Sequence, residues 1–277
     1  MPAIGTAICG LVTSLLTAVL VVFLSQLFGT EIFTWSVWVI IPIGAILTGA
    51  LACSGYYFGS RFFNSRPTRA LVAQAVVVAG LTQLLIYYLE YFGAGLSDRM
   101  SFMQYLPLSL TQGQYSIGHV GTGSGFTVGS FGYVLAGIQF LGFLLGGGVM
   151  CAWLFQQPYC DKCSKYFKVL GKRQFKFAKW EELAPFFNAL LENVVHESKC
   201  LSHLAKDDLI TTADPSGAVR LDLALHGCAS CGKQLMISTL HVFDGKAWAE
   251  NFKTPASQKK IDVPAGISLS SAFGKRI

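Results

Sequence analysis

The chain has 277 residues, of which 52% are hydrophobic and only 13% are charged, about half the charged share of a soluble globular protein. This composition excludes a disordered chain and argues against a wholly soluble one. The net charge of +6 is unevenly placed: residues 1–150 hold four basic and three acidic residues, whereas residues 151–277 hold seventeen basic and twelve acidic residues. The sequence therefore predicts an apolar half followed by a polar, basic half.

Four stretches of the apolar half carry no lysine or arginine and are long enough to cross a bilayer. They run approximately over residues 4–28, 33–58, 70–89 and 131–155. A spanning helix needs roughly 20 apolar residues. A secretory signal peptide fits the first stretch poorly, because no basic residue precedes it. We predict an α-helical, multi-pass integral membrane protein whose four transmembrane helices lie within residues 1–156.

Basic residues between the predicted spans indicate the orientation of the chain. Three of the nine residues 61–69, which follow the second span, are arginines, and a lysine-rich segment follows the fourth span. Cytoplasmic loops are enriched in basic residues, so both termini are predicted to be cytoplasmic. The connection over residues 93–130 then lies outside. We expect a short amphipathic helix there, capped by Ser97 and ended by Pro107.

Glycines are spaced for close helix packing in two of the predicted spans. Gly55 and Gly59 lie four residues apart in the second span, as do Gly142 and Gly146 in the fourth. Such pairs let helix backbones approach closely in a membrane. The sequence leaves open whether the neighbouring helix belongs to the same chain. Besides the lipid bilayer, we therefore expect a protein partner or a homo-oligomer that packs through these spans.

Four of the eight cysteines form two C-x-x-C pairs in the polar half, Cys160 with Cys163 and Cys228 with Cys231. Four thiolates are the ligands of a closed tetrahedral zinc site, and the two-residue gap lets one tight turn direct both sulfurs of a pair toward one ion. Gly232 follows the second pair and can supply the positive φ that such a turn often needs. We predict that these four cysteines bind structural Zn²⁺.

The two pairs and the strands predicted around them resemble a zinc ribbon, in which two knuckles on neighbouring β-hairpins share one metal ion. The resemblance covers about residues 156–180 and 217–252. One feature departs from the ribbon pattern, because 64 residues separate Cys163 from Cys228. A helical insert over residues 181–208 accounts for this gap without moving the knuckles apart.

Other uses of the cysteine pairs fit the sequence less well. Structural disulfides are disfavoured in a reducing cytoplasm, and thioredoxin-like redox chemistry needs a βαβ context that is not predicted here. Iron in a rubredoxin-like site stays open, because tetrahedral sulfur suits both metals. Four protein ligands leave no open position, which favours a structural ion over a catalytic one.

The polar half is predicted to be a small cytoplasmic β module over residues 157–252, followed by a flexible tail over residues 253–277. Strand patterns occur over residues 166–169, 174–177, 219–225, 234–242 and 247–252. We predict a turn near Gly171 between the first two strands and a hairpin turn at Asp244 and Gly245 between the last two.

Three further potential ligands lie on the predicted helical insert. His196, Cys200 and His203 are four and three residues apart, which places them on one face of a helix. They form a candidate second metal site, although no fourth ligand is evident. The alternative is a half-buried helix face with polar edges.

Basic and aromatic residues are interleaved from Lys162 to Lys179. In a soluble protein this pattern would indicate nucleic-acid binding. Here the segment directly follows the fourth predicted span, so anionic lipid headgroups are the nearest anions and attract it by about 1 kcal/mol per basic residue. Nucleic acid is therefore disfavoured as a partner.

Three classes of function are compatible with these features. We favour a non-enzymatic membrane-anchored subunit or adaptor that presents a structural zinc-ribbon module to cytoplasmic or membrane partners. The alternative is an oligomeric channel or transporter component with a cytoplasmic regulatory zinc module, although its spans lack charged residues inside the membrane. A membrane enzyme ranks third, because no acid–base pair or activated nucleophile is evident and function must be argued from a site.

Overall fold

The computed structural model describes residues 2–28, 41–96, 98–112, 114–115, 126–127, 129–205, 217–251, 257 and 259–273. The chain divides into two compact units, Met1–Gln157 and Pro158–Ile277. The first unit is helical, and the second is built around an antiparallel sheet.

Five α-helices make up most of the described part of the first unit. They are α1 (Pro2–Phe28), α2 (Ile43–Phe63), α3 (Arg69–Gly93), α4 (Phe102–Gln112) and α5 (Gly132–Gln156). A two-stranded antiparallel ribbon pairs β1 (Gln114–Tyr115) with β2 (Phe126–Thr127), and a 3-10 turn over Gly129–Phe131 precedes α5. The helices α1, α3 and α5 are long and apolar enough to cross a membrane.

Three of the four predicted spans are therefore helices of membrane-spanning length and composition. Their outer surfaces are apolar, with side chains such as Leu16, Leu81 and Leu145 exposed, as expected of helices that face lipid. The second predicted span begins at residue 33, but residues 29–40 lie outside the described part of the chain. The described helix α2 carries Arg61 in its last turn and is not among the described helices of spanning length and composition.

Glycines bring the backbone of α2 against that of α5. A Cβ atom at Gly49 would collide with the carbonyl oxygen of Phe143, and one at Gly146 would collide with the carbonyl oxygen of Ile46. Both obstacles are backbone atoms, which cannot rotate away. The packing of α2 on α5 therefore requires glycine at both positions.

A threonine and a glycine join α1 to α2 in a similar way. The Thr13 hydroxyl donates to the carbonyl oxygen of Ala52 at 2.8 Å and accepts from the backbone N–H of Gly55 at 3.2 Å. A Cβ at Gly55 would collide with this hydroxyl and with the carbonyl oxygen of Cys9. The predicted small-residue pairs thus pack against helices of the same chain, which the sequence left open.

The helix in the connection between α3 and α5 ends later than predicted. Ser97 lies outside the described residues, and α4 begins at Phe102, where the Gln104 side chain accepts from the backbone N–H of Ser101 at 3.1 Å, as in half of a capping box. The helix does not end at Pro107 but continues to Gln112. A proline removes one backbone donor yet keeps a helical φ, and the Thr111 hydroxyl donates to the Pro107 carbonyl at 2.8 Å in the next turn.

The second unit contains seven strands and two helices in its described part. They are β3 (Tyr159–Cys160), β4 (Lys165–Tyr166), β5 (Lys168–Phe177), α6 (Trp180–Asn193), α7 (Glu197–Leu204), β6 (Val219–Gly227), β7 (Gln234–Phe243), β8 (Trp248–Glu250) and β9 (Lys260–Asp262). Strands β3 and β4 form a separate pair, and the main antiparallel sheet has the order β5-β6-β7-β8. Strand β9 pairs with the start of β7, and β8 pairs with its end.

The two helices cover one face of the main sheet. Strand β6 alternates strictly, so Leu221, Leu223 and Leu225 point into the core, where they meet Leu183 and Leu190 of α6. The residues between them point to the other face. That face, here called the open sheet face, consists of Lys172, Gln174, Lys176, Arg220, Asp222, Thr239 and His241, all partly or fully exposed.

One predicted hairpin is confirmed and one is wrong. Phe243 pairs with Trp248 across a turn in which Gly245 has φ of 96° and Asp244 accepts two backbone N–H bonds. By contrast, the chain does not turn at Gly171. Strand β5 runs through it with only a bulge and pairs with β6 along its length, because this pairing directs its phenylalanines into the core.

The C-terminal segment differs from the flexible tail expected from its sequence. Beyond β9, Val263, Leu269 and Phe273 are buried in the core of the sheet and helices. The Gln234 side chain accepts from the backbone N–H of Leu269 at 2.9 Å, and Arg173 donates to the carbonyl oxygen of Ala272 at 2.8 Å. The apolar residues of this segment are widely spaced and follow neither a helix nor a strand period, so the sequence did not predict their burial.

We expect Gly146→Ala to destabilise the helical unit by about 2 kcal/mol, because its Cβ meets backbone atoms of α2. The matched control is Gly148→Ala, two residues further along α5, where a Cβ would meet open space. Thermal unfolding of the purified protein in mild detergent measures both. Equal unfolding temperatures for the two variants would contradict the close contact.

Truncating Phe273 to alanine should lower the free energy of unfolding of the second unit by about 3 kcal/mol, because a buried ring leaves a cavity. Lys260→Ala, an exposed position in the same segment, should change it by less than about 0.5 kcal/mol. Pulse proteolysis of the full-length protein in increasing urea compares them. A flexible tail would leave both variants as stable as the unchanged chain.

Candidate metal centre

The first cysteine pair lies on a short β-ribbon. Cys160 ends β3 and pairs with Lys165 of β4, so the chain reverses within four residues. Ser164 completes the turn with φ of 50°, a left-handed conformation uncommon for a residue other than glycine. We call residues 159–166 the first knuckle.

The second cysteine pair lies in the connection between β6 and β7. The backbone N–H of Cys228 donates to the carbonyl oxygen of Lys233 at 2.8 Å, and that of Gly232 donates to the carbonyl of Cys228 at 3.0 Å. Gly232 has φ of 70°, as its position after the pair predicted. We call residues 227–234 the second knuckle.

The two knuckles bring all four predicted ligands together. The Sγ atoms of Cys160, Cys163, Cys228 and Cys231 all lie within 4.8 Å of one another. The Cys160 and Cys231 sulfurs are 3.7 Å apart. A tetrahedral ion with metal–sulfur bonds of ~2.3 Å holds its sulfurs roughly 3.8 Å apart, so the donor set fits a single tetrahedral metal ion.

Strand pairing explains why the long insert does not separate the knuckles. The first knuckle leads directly into β5, and the second directly follows β6. Because Lys168 pairs with Gly227, the start of β5 lies beside the end of β6. At the other end of the pair, Phe177 lies beside Val219, so the insert begins and ends there, away from the knuckles. This arrangement agrees with the resemblance to a zinc ribbon.

The surroundings of the sulfurs hold the knuckles in place. Phe167 and Leu235 are buried against Cys160 and Cys228, which form a small apolar cluster under the site. Across the exposed side, the Lys165 ammonium donates to the Ser230 hydroxyl at 2.9 Å. The second knuckle is tied to the C-terminal segment by an ion pair of 3.0 Å between Lys233 and Asp262.

Burial and hydrogen bonds shift the pKa values of three of the four thiols, those of Cys160, Cys163 and Cys228. Burial raises the pKa of Cys228, but backbone N–H donors at Cys231 and Ser230 outweigh it and bring this pKa from 9.0 to about 6. The hydrogen bond with Cys231 raises the pKa of Cys163 to about 12. Among the three thiols whose pKa is shifted, those of Cys160, Cys163 and Cys228, that of Cys228 is therefore the first to ionise. A metal ion replaces the remaining thiol protons, because only thiolates ligate it.

The candidate second metal site is not formed. The insert is broken into two helices, so His196 is the N-terminal cap of α7 and not part of a continuous helix with the others. Cys200 is fully buried in the hydrophobic core. His203 stacks on the Phe186 ring at 4.3 Å, and its Nε2 lies 3.0 Å from the Phe186 carbonyl oxygen. Cys200 and His203 pack the helices together and His196 is exposed, which agrees with the alternative of a half-buried helix face with polar edges.

The four-cysteine cluster stands apart from the other potential ligands. In the described parts of both units, it is the one group of histidines, cysteines and carboxylates with metal-binding geometry. His226 lies two residues before Cys228 but is not part of the group. Burial and the nearby Lys172 lower the pKa of His226, which keeps its imidazole neutral near pH 7.

No protein-family model, curated protein or solved structure matches this chain. Its function must therefore be argued from the chemistry of its own residues.

We expect the purified full-length protein to bind one metal ion per chain and Cys228→Ser to reduce this to less than a tenth, because three sulfurs leave the tetrahedron open. Cys151→Ser in α5 is the matched control and should keep the metal. Elemental analysis after gel filtration gives the stoichiometry. Full metal content in the Cys228 variant, or none in the unchanged protein, would rule out the site.

Proposed function

We propose that the protein is a non-enzymatic, membrane-anchored subunit or adaptor that presents a zinc-stabilised module to partners. The observation that supports this most strongly is the closed ligand set. Four cysteine sulfurs occupy every position of a tetrahedral site, and two of them, Cys160 and Cys228, are buried. A catalytic ion needs a position for water or substrate, whereas this arrangement favours an ion that fixes two turns.

Zinc is the metal that best suits this role. It prefers four sulfur ligands in a tetrahedron and has no redox chemistry that a structural site must suppress. The small cluster of Phe167 and Leu235 beneath the sulfurs buries little surface, so a metal adds stability that this core lacks. Iron is the competing ion, and elemental analysis distinguishes the two.

We propose that α2 is a fourth membrane span, alongside α1, α3 and α5. Its backbone packs against α1 at Gly55 and against α5 at Gly49, so it shares the depth of two helices of spanning length. With four spans, the turn between α2 and α3, which carries Arg66, lies on the same side as both termini. The positive-inside rule assigns that side to the cytoplasm.

The open sheet face is the surface we propose for a cytoplasmic protein partner. Arg220 and Asp222 form an ion pair at 3.0 Å, and the Arg220 guanidinium lies 5.0 Å from the centre of the Trp248 ring. Lys172 and Lys176 of β5 add positive charge to this face, and the Lys176 ammonium also lies 5.8 Å from the centre of the Trp248 ring. A basic surface with an aromatic anchor suits an acidic protein segment.

The lysines on the rest of the segment from Lys162 to Lys179 are proposed to contact anionic lipid headgroups. Lys162, Lys165 and Lys179 are exposed. Each basic residue near an anionic leaflet contributes about 1 kcal/mol, so a few of them suffice to hold the segment near the membrane.

The proposed topology predicts opposite labelling of two introduced cysteines. In intact cells, a membrane-impermeant maleimide should label a cysteine at Gly123 but not one at Ser257 until the membrane is permeabilised. Both are introduced singly, and the unchanged protein is the background control. Labelling at position 257 in intact cells would overturn the assignment.

The adaptor function predicts that a defined partner is lost when the module is altered. In mild detergent extracts, the unchanged protein should elute as a complex larger than its own oligomer. Lys172→Glu with Lys176→Glu should reduce the amount of co-eluting partner at least tenfold. The chain should stay membrane-inserted and retain its zinc. Lys199→Glu with Lys246→Glu, at two exposed positions outside the open sheet face, is the matched charge control.

The transport alternative makes the contrary prediction. If the purified protein alone in liposomes conducts ions or moves a solute, and loss of zinc only changes the rate, the chain is a channel or transporter component and the adaptor proposal is wrong.

A further inference from the structure

Strand β5 forms one edge of the main sheet. In the order β5-β6-β7-β8 it has a neighbouring strand on one side only among the described residues. A bulge interrupts its pairing with β6 between Val169 and Gly171, and the pairing is regular from Gly171 to Phe177. This regular stretch has the extended backbone that a further strand needs for pairing.

The register of the sheet determines which backbone groups of β5 are directed to this edge. The backbone N–H of Phe243 donates to the carbonyl oxygen of Ala218 at 2.9 Å, so the even-numbered residues of β6 bond to β7. The odd-numbered residues of β6 then bond to β5, where odd-numbered residues lie opposite them beyond the bulge. The N–H and C=O groups of Lys172 and Gln174 are consequently directed to the outer edge. Among the described residues, no further backbone hydrogen bond involves either.

The side chains along this edge are basic. Residues 168–179 include five lysines and arginines and no acidic residue. Lys172 and Lys176 lie four residues apart on the open sheet face. On the opposite face, Arg173 already donates to the carbonyl oxygen of Ala272 at 2.8 Å. The positive charge at the edge is therefore concentrated on the open sheet face.

This charge selects the kind of strand that can pair with β5. Two copies of β5 paired antiparallel about Gln174 would set Lys172 opposite Lys176, and like charges directly opposite each other destabilise a strand pair. A strand with a carboxylate at every second residue instead sets its acids opposite these lysines. An anionic lipid surface would match the charge but offers no backbone groups to the edge.

We propose that β5 binds an extended acidic segment of the partner protein as an additional antiparallel strand. The acidic residues of this segment alternate along it and face Lys172 and Lys176, and its backbone pairs with that of Gln174. This proposal rests on the adaptor function and specifies how the partner is held.

The first test measures the binding of synthetic peptides to the purified full-length protein in mild detergent. The probe is a fluorescein-labelled nine-residue peptide of alternating glutamate and threonine. The matched control has the same composition with its glutamates in adjacent pairs. Fluorescence anisotropy should show at least tenfold tighter binding of the alternating peptide, because only this peptide sets every carboxylate on the lysine side. No binding of the alternating peptide, or equal binding of both, would overturn the proposal.

Backbone methylation of the alternating peptide separates strand pairing from charge attraction. In the antiparallel pair, the glutamates opposite the lysines direct their N–H groups to β5, whereas the threonines direct theirs away. Methylating two glutamate nitrogens should weaken binding at least tenfold through the lost hydrogen bonds, and methylating two threonine nitrogens should weaken it less than threefold. Equal effects of the two methylations would indicate docking by charge alone and refute the added strand.

Hydrogen–deuterium exchange with residue-level fragmentation examines the same edge in the unchanged protein. The N–H of Gln174 should exchange quickly in the free protein and at least tenfold more slowly with the alternating peptide bound. The N–H of Phe175, which is directed to β6, is the internal control and should exchange slowly in both states. Slow exchange at Gln174 without peptide would mean that the edge is already covered, and would also overturn the proposal.

Failure of the adaptor function and failure of strand addition give different results. If extracts contain a larger complex that Lys172→Glu with Lys176→Glu dissociates, but the two methylations act equally, the adaptor function stands and the added strand is refuted. If extracts contain no larger complex but the peptides bind as expected, the adaptor function fails and the recognition of an acidic strand by β5 is supported.

Discussion

Antiparallel pairing between β5 and β6 is the interaction on which the second unit depends. It places the two cysteine pairs at the same end of the sheet, although 64 residues separate them along the chain. It also directs Phe175, Phe177 and the leucines of β6 to one face, where α6 and α7 cover them. The cysteine cluster and the hydrophobic core thus depend on the same pairing of strands. A metal ion bound by the four cysteines would stabilise the end of the β5–β6 pair whose inner face packs against the core.

The helical unit depends on a different constraint. Apolar side chains give helices no preference for one another over lipid, so association rests on close contact and hydrogen bonds. Both occur at α2. Gly49 and Gly55 let the backbones of α5 and α1 approach it closely, and the Thr13 hydroxyl of α1 forms hydrogen bonds with the α2 backbone. With these glycines occupied inside the chain, contacts with other subunits would use outward positions such as Gly137 and Gly148, where a Cβ would meet open space.

Buried polar groups differ in how they are satisfied in the two units. In the second unit, Gln234 accepts the backbone N–H of Leu269 and so holds the C-terminal segment in the core. In the first unit, the Oε1 atom of Gln83 is buried without a hydrogen-bond partner.

The sequence by itself determined the features that depend on local composition and spacing. Long uncharged stretches gave the apolar helices, and the two C-x-x-C pairs with Gly232 gave the knuckle turns, because each signal is contained within a few neighbouring residues. Only the tertiary structure decided that β5 runs through Gly171, that Cys200 and His203 pack the core, and that the tail from Val263 to Phe273 is buried. These outcomes depend on partners distant in sequence, and the burial gained against those partners outweighs the local preference for a turn, a ligand face or a flexible end.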